Sequence, residues 1–301
     1  MKEGTKYTIF VICMVVSWSI FYAVSKIIVS ATGSATFAGF LIRVAALIFL
    51  TVQLIADGNF RDLIHQGKAV WLLLLIGVFG FLLDLFANLG YAHGSLSTGT
   101  ALLKTDVLMV NLATVIIYKQ KLYGSDWLGT GIMFVGVLLV LGINFGSMEF
   151  HITDLFFLLS AAAVSANAFI IKAAQQKYKV NSDMISYYNN FMVLVLFAAS
   201  AAISGEFELS RLNTIPGFWW LVLLGGLGQT GIYFFYYRNL KHFEVWQVKL
   251  YLLMMPILSC FIGVGFLGEE LTVTKIIGIL VVLAGAAVIL LRSRINKEAK
   301  A

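Results

Sequence analysis

Ten apolar stretches divide this chain, and each has about the length that crosses a lipid bilayer. A spanning α-helix needs about 20 apolar residues to cross a hydrocarbon core of roughly 30 Å. The stretches are continuous rather than alternating, which favours helices over the strands of a membrane barrel. They lie near residues 8–29, 36–55, 69–91, 98–118, 126–144, 154–173, 184–204, 217–237, 246–267 and 273–291. The sequence therefore predicts an all-α integral membrane protein with ten transmembrane helices.

The composition points the same way. Of 301 residues, 60% are apolar and only 12% are charged, whereas a soluble domain has about 45–50% and about 25%. Ten spans use about 200 residues, which leaves no room for a sizeable soluble domain. The net charge of +6 would also fit a nucleic-acid partner, but the distribution of the charges favours a lipid bilayer instead.

Lys and Arg predict the orientation of the chain in the membrane. With the N-terminus in the cytoplasm, the segments on the inner side carry fifteen Lys and Arg and those on the outer side carry two. Cytoplasmic loops are enriched in these residues. We therefore expect a multi-pass protein of the cytoplasmic (inner) membrane with both termini cytoplasmic.

The two halves of the chain repeat each other at an offset of 149 residues. WLLLLIG at 71–77 falls on WLVLLGG at 220–226, and His93 falls on His242. Five helices per copy is an odd number, so the second copy enters the membrane inverted. Inverted repeats are typical of secondary transporters, with the substrate site at the repeat interface. We expect a first repeat over residues 1–148 and a second over 149–301, forming one membrane domain.

Several motifs resemble the EamA-type branch of the drug/metabolite transporter superfamily over nearly the whole chain. Helix 1 carries WSIFYAVSK, with Trp18 and Lys26 at the ends of that family's motif, and helix 2 carries Arg43 in FLIRVAALIFL. Pro256 and the segment GEELT at 268–272 follow the family's later pattern. The first copy departs from it, with KQKL in place of the acidic turn and a valine in place of the proline. The resemblance implies a cavity lined by helices 1, 3, 4, 6, 8 and 9, and the transport of small metabolites, usually outward.

Charged residues within the apolar stretches are the first candidates for the site. A charge at the bilayer centre costs about 2.5–3.5 kcal/mol on insertion scales, so such residues are functional candidates by default. They are Lys26, Arg43, Asp84, Lys104, Asp106 and Lys249. A rise of about 1.5 Å per residue places the first five in the same half of the membrane.

Depth and helical spacing suggest how these charges are arranged. Asp84 and Asn88 share one face of helix 3, and Lys104 and Asn111 share one face of helix 4. We expect these four side chains to lie along the substrate pathway. Asp84 and Lys104 share a depth, so they form either a structural salt bridge or a substrate site. Arg43 is expected to be structural and to pair with Asp106.

Aromatic and amide residues extend the predicted pathway into the second repeat. At the repeat offset Asp84 becomes Tyr233, and Asn190 stands near the repeat position of Arg43. Tyr187–Asn190, the run YYNN, is unusually polar for a transmembrane stretch. The further pathway candidates are Trp18, Tyr22, Asn167, Gln229, Tyr233 and Tyr251.

Glycines and a proline have structural roles in this interpretation. Gly129 and Gly136 recur in the second copy as Gly278 and Gly285, and small residues let helices approach closely. Pro256 removes a backbone hydrogen bond and is expected to bend helix 9.

The functional prediction is a secondary transporter that moves a small polar or zwitterionic, amino-acid-like and aromatic metabolite outward by alternating access. The histidines lack metal-ligand spacing and there is no phosphate-binding loop, so we expect no enzyme activity, metal or cofactor. Proton-coupled efflux of cationic or aromatic drugs and an uncoupled channel-like facilitator are the alternatives. Poorly solvated carboxyl groups can carry protons, which makes Asp84 and Asp106 the candidates for coupling. We expect a monomer or a weak homodimer.

Overall fold

The computed structural model describes residues 3–110, 124–141, 151–242, 248 and 251–298, and this part of the chain is helical and contains no strand. Its α-helices are α1 (Glu3–Thr32), α2 (Ala35–Ala56), α3 (Val70–His93), α4 (Leu96–Leu103), α5 (Gly124–Leu141), α6 (Ile152–Lys177), α7 (Ser182–Ile203), α8 (Phe218–His242), α9 (Met254–Leu267) and α10 (Val273–Glu298). Short 3-10 helices cover Phe60–His65, Gly67–Ala69 and Leu209–Thr214. The predicted all-α class is confirmed.

Within the described residues, six helices are long and apolar enough to cross a membrane. They span Ile9–Thr32, Ala35–Ala56, Gly67–His93, Ile152–Lys177, Ser182–Ile203 and Phe218–Tyr236, and shorter apolar helices cover Trp127–Val140, Met254–Leu267 and Val273–Val288. Lipid supplies no hydrogen bonds, so a backbone in the hydrocarbon must bond to itself as a helix. The protein is therefore embedded in a membrane and crosses it several times.

The helices pack in a pattern that is the same for both halves of the chain. The main pairs are α1 with α8, α3 with α6, α2 with α7, α5 with α10 and α4 with α9, and α2 also contacts α8 while α3 contacts α7. Exchanging α1–α5 for α6–α10 converts this set of pairs into itself. Helices of one half consequently pack mainly on helices of the other half. The interface between the two halves therefore runs through the centre of the protein.

The connections between helices gather at two opposite faces. One face joins α1 to α2, α3 to α4, α7 to α8 and α9 to α10. It carries Glu206, Glu208, Glu269 and Glu270, and we call it the acidic-loop face. The other joins α2 to α3 and α6 to α7, where the Tyr188 hydroxyl donates to the Leu63 carbonyl at 2.7 Å. It carries Arg61, Lys68, Lys177 and Lys179, and we call it the basic-loop face.

The helical path through stretch 98–118 is interrupted, contrary to the single helix that the sequence predicts there. α4 ends at Leu103, residues 104–105 form a turn, and 106–110 are helical again. The Thr105 hydroxyl donates to the Leu102 carbonyl at 2.8 Å, and such side-chain bonds compete with helical ones. Residue 253 is also a turn, between helical residues 251–252 and α9. The two interruptions are 149 positions apart, which equals the repeat offset.

The proline and the paired glycines lie where helices meet closely. Pro256 is in the first turn of α9, just after the second interruption, where a missing N–H is tolerated. An added Cβ at Gly285 would lie 2.6 Å from the Met133 backbone nitrogen and 2.8 Å from the Gly129 carbonyl oxygen. Gly136 and Gly278 face the backbone of the same partner helices. α5 and α10 therefore touch backbone to backbone.

Candidate functional site

A buried ion pair lies where α2, α3 and α7 meet. The Arg43 guanidinium donates to the Asp84 carboxylate and to the Asn190 side-chain oxygen. Arg43 and Asp84 are 2% and 3% exposed, and both lie within helices long enough to span a membrane. Asp84 thus takes its cation from Arg43 rather than Lys104. Arg43 is paired with Asp84 rather than Asp106, so the expected Arg43–Asp106 pair was wrong, and so was the salt-bridge alternative for Asp84 and Lys104.

The depth of a residue along its helix did not predict this pairing. Depth does not determine which neighbouring helix a side chain faces. α2 packs against α3, α7 and α8, and this brings Arg43 to Asp84. A second hydrogen bond orients the Asn190 side chain, since its amide nitrogen donates to the Ser186 carbonyl at 2.8 Å. That bond fixes the amide with its oxygen available to Arg43.

Amide and phenol groups from α7 and α8 surround the ion pair. The Asn189 amide donates to the Tyr233 hydroxyl at 2.6 Å, and that hydroxyl also interacts with Arg43 and Gln229. An added Cβ at Gly80, one helical turn before Asp84, would collide with the Asn189 carboxamide oxygen. The absent side chain at Gly80 therefore makes room for Asn189 beside α3. We call Arg43, Asp84, Asn189, Asn190, Gln229 and Tyr233 the ion-pair cluster.

The ion-pair cluster contains several polar atoms that the protein leaves unsatisfied. Four buried atoms have no hydrogen-bond partner within the described part of the chain: Arg43 Nε, Asp84 Oδ1, Asn189 Oδ1 and Gln229 Oε1. The large majority of buried side-chain polar atoms in native proteins have a partner. One unsatisfied donor and three unsatisfied acceptors around a single ion pair therefore mark this region as unusual.

An aromatic and lysine group adjoins the ion-pair cluster. The Lys104 ammonium lies 5.9 Å from the centre of the Trp18 ring, and that ring meets Tyr236 edge-on at 5.7 Å. Tyr22, four residues after Trp18 on α1, is buried and interacts electrostatically with both Asp84 and Asp106. Tyr22 thus connects this group to the ion-pair cluster.

The interruption after α4 favours the burial of two charged residues, Lys104 and Asp106. Lys104 is the C-cap of α4, and Asp106 begins the helical residues 106–110. A cation at a helix C-terminus and an anion at an N-terminus both complement the helix dipole. The Asp106 carbonyl also accepts from the Ser165 hydroxyl at 3.1 Å. These charges follow the two helix ends rather than one face of a continuous helix.

Asn88 ties helices together. Its side-chain oxygen accepts from the Ser25 hydroxyl at 2.5 Å, and its amide nitrogen donates to the Ala35 carbonyl at 3.0 Å. These bonds join α3 to α1 and to the start of α2. Both ends of the Asn88 amide are therefore used by protein partners.

The remaining predicted pathway residues lie at different places. Asn167 of α6 is buried, and its side-chain oxygen has no partner among the described residues. Tyr251 is half-buried and packs against the main apolar core. Asn111 lies outside the described residues.

A second polar cluster lies at the acidic-loop face. Both oxygens of Glu269 accept hydrogen bonds: one from the Leu96 backbone N–H, the other from the Ser97 backbone at 3.1 Å and its hydroxyl at 2.7 Å. The Lys26 ammonium is 3.7 Å from Glu269 and donates to the Gly94 carbonyl. Gly268 ends α9 with φ +64° and so turns Glu269 toward α4. One carboxylate thereby joins α1, α4 and α9, and we call these groups the Glu269 cluster.

A similar contact joins the α7–α8 connection to α2. One oxygen of Glu206 accepts from the hydroxyls of Ser34, the N-cap of α2, and of Thr36. Arg211 donates to the Thr32 carbonyl at 2.7 Å. The acidic-loop face thus holds two helix N-termini with two carboxylates, which agrees with the preference of helix N-termini for negative charge.

Sequence reasoning named Asp84, Gln229 and Tyr233 but missed Asn189 and Glu269 as contributors. The YYNN run signals Asn189, since two adjacent amides inside a span need partners. Glu269 stands out only as part of an acidic loop motif, and nothing in its spacing indicates that it reaches α4.

A buried ion pair inside membrane-spanning helices, with aromatic neighbours, is typical of proteins that move polar solutes through a membrane. The EamA-like transporter family matches this chain twice, over residues 5–142 and 151–291. The chain belongs to that family and is a membrane transporter. The resemblance read from the sequence motifs is confirmed.

Two known proteins are also similar to this chain. A Sinorhizobium sp protein described as an uncharacterized transporter in the cobO 3' region is 33% identical over 134 residues, which are 43% of this chain and 89% of that protein. A protein of known crystal structure superposes with a TM-score of 0.61 at 21% identity, covering 96% of this chain and 98% of its own. At that identity the likeness establishes the fold alone.

Proposed function

We propose that the protein is a secondary transporter that moves a small polar or zwitterionic, amino-acid-like metabolite out of the cell by alternating access. The observation that carries this proposal is the buried Arg43–Asp84 pair, which places both signs of charge inside the membrane-spanning helices. The Phe21 ring centre lies 6.0 Å from the Arg43 guanidinium, and Tyr22 is buried nearby. A solute with both charges and an aromatic side chain has complementary groups for each of these features.

The packing supports ten membrane crossings arranged as two inverted repeats, 1–148 and 149–301. The set of helix pairs is unchanged when the halves are exchanged. Arg43 bonds to Asn190, which lies near its own repeat position, and it contacts both Asp84 and the repeat mate of Asp84, Tyr233. Residues next to a pseudo-two-fold axis lie close to their own mates, and these contacts support a position of the ion-pair cluster near that axis. Transporters of this architecture bind their substrates at such interfaces.

We place the basic-loop face in the cytoplasm, because cytoplasmic loops carry the excess of Lys and Arg. Both termini are then cytoplasmic and the membrane is the inner one. A cysteine in place of Lys179 should react with an impermeant maleimide only from the cytoplasmic side, and one in place of Glu208 only from outside. Labelling of both positions from the same side would contradict this orientation.

Purified protein in liposomes loaded with a defined mixture of amino acids and other polar metabolites tests the function. The proposal expects selective release of zwitterionic solutes, measured by mass spectrometry of the external medium. Matched liposomes with the R43M/D84N variant should release none of them beyond background leakage. Failure of the wild-type protein to release any zwitterion would contradict the proposed substrate class.

The same liposomes separate the proposal from its alternatives. Arg43 neutralises Asp84, and a lone carboxylate in an aromatic box would suit a cationic drug better. Proton coupling through Asp84 or Asp106 predicts that an imposed pH gradient drives accumulation, whereas exchange or uniport predicts that it does not. An uncoupled facilitator would never accumulate solute against its gradient. We expect the active unit to be a monomer or a weak homodimer.

A further inference from the structure

The unsatisfied atoms of the ion-pair cluster are complementary to one kind of solute. Arg43 Nε is a donor, and Asp84 Oδ1, Asn189 Oδ1 and Gln229 Oε1 are acceptors. An ionised carboxylate needs donors, and an ammonium group supplies three N–H donors. The two ends of an α-amino acid therefore match the two partners of the ion pair.

We propose that the substrate is a zwitterionic α-amino acid that binds by exchanging ion pairs with the protein. The carboxylate of the amino acid pairs with the Arg43 guanidinium, and its ammonium group pairs with the Asp84 carboxylate. The ion pair between Arg43 and Asp84 therefore separates as the solute binds. The proposal rests on the proposed function and names the residues that set its specificity. No covalent bond or proton is transferred in this exchange.

The amides beside the ion pair supply hydrogen-bond acceptors for the ammonium group of the bound amino acid. The Asn189 oxygen lies over Gly80, one turn of α3 from Asp84, and Gln229 reaches the same Tyr233 hydroxyl as Asn189. Each of these amides is at most 3% exposed, so bulk solvent does not reach its oxygen. An ammonium held by Asp84 lies beside acceptors that have no other donor within the described residues.

Ion-pair exchange produces specificity because a singly charged solute leaves one buried charge alone. An amine pairs with Asp84 but strands Arg43, and an acid pairs with Arg43 but strands Asp84. Breaking a buried pair by losing one partner is strongly unfavourable, and the corresponding loss of affinity is about a hundredfold or more. A zwitterion keeps both charges paired throughout.

Thermal stabilisation of the purified protein in detergent tests this ranking directly. Each protein amino acid is titrated first, and the most effective one is compared with its decarboxylated amine and its deaminated acid. We expect the zwitterion to stabilise at a concentration about a hundredfold below either analogue. Equal potency of the amine or the acid, or no stabilisation by any amino acid, would overturn the ion-pair exchange.

The R43M/D84N variant supplies a second measurement and E208Q a matched control. The double variant removes both charges and leaves neither stranded, so it should fold, and the zwitterion should lose its stabilising effect and its advantage over the analogues. E208Q removes an exposed carboxylate remote from the cluster and should keep the wild-type ranking. A double variant that retained the preference would overturn the proposal. Liposomes that release polar solutes without a zwitterion preference would refute the ion-pair exchange but leave transport itself standing.

Discussion

Two carboxylates show how differently this fold uses a buried negative charge. Both oxygens of Glu269 accept hydrogen bonds from the start of α4, and Lys26 lies beside it. Asp84 bonds to Arg43 through one oxygen and leaves the other without a partner in the described structure. A fully satisfied carboxylate holds helices in one arrangement, whereas a partly satisfied one is ready for a ligand. We infer that the Glu269 cluster closes one face and that the ion-pair cluster binds the solute.

The positions of the two clusters fit these different tasks. The Glu269 cluster joins the ends of α1, α4 and α9 at the acidic-loop face, and helices from both halves of the chain meet there. Alternating access requires such ends to separate when that face opens. The ion-pair cluster lies deeper, between α2, α3, α7 and α8. Substitutions at the two carboxylates should therefore affect different properties.

The largest effect is expected from R43M. This change leaves Asp84 buried without its cation, and breaking a buried pair in this way costs about 3–5 kcal/mol. The free energy of unfolding, measured in detergent, should fall by about that amount, and transport should be lost. R43M/D84N should regain most of the stability but not the transport. Double-variant stability no better than that of R43M would show that the ion pair is not the source of the loss.

A smaller effect is expected from E269Q. The neutral amide keeps one acceptor but loses the charge that complements the α4 N-terminus and Lys26, a loss of about 1–2 kcal/mol. Unfolding of the purified variant measures this change. The ranking of zwitterion, amine and acid should match wild type, because the ion-pair cluster is unchanged. Loss of that ranking in E269Q would break the distinction between the two clusters.

E269Q should also open the acidic-loop face more often. A cysteine at Thr100, which is fully buried in α4, reports this opening in a background where Cys13 and Cys260 are serine. An impermeant maleimide should label it faster in E269Q than in the parent, since fewer bonds hold α4 closed. Equal labelling rates would mean that Glu269 does not hold this face shut.

The smallest effects are expected at the α7–α8 connection. E206Q weakens the contact with the N-cap of α2, and the loss of a cap interaction costs about 1 kcal/mol. E208Q affects only an exposed pair with Arg211, and such pairs contribute little. In thermal unfolding measured side by side, the melting temperature of E206Q should be lower than that of E208Q. The reverse order would show that the Glu206 contact does not stabilise α2.

The sequence was sufficient for the class of fold and for the family, because continuous apolar stretches determine helices in lipid. It also placed Asp84, Gln229 and Tyr233 together through the repeat offset. It did not yield the partner of Arg43, since that depends on how α2 sits against α3 and α7. The interruption at Lys104 was missed because no proline or glycine marks it, and the stripe through Asn111 depended on a continuous helix.

Ligand-induced stabilisation, compared between the two carboxylates, tests the central claim most directly. The amino acid that stabilises the wild-type protein best is titrated against E269Q and R43M/D84N under the same conditions. We predict that the thermal shift survives in E269Q and disappears in R43M/D84N. A shift that disappears in E269Q and survives in R43M/D84N would contradict the assignment of the substrate site to the Arg43–Asp84 pair.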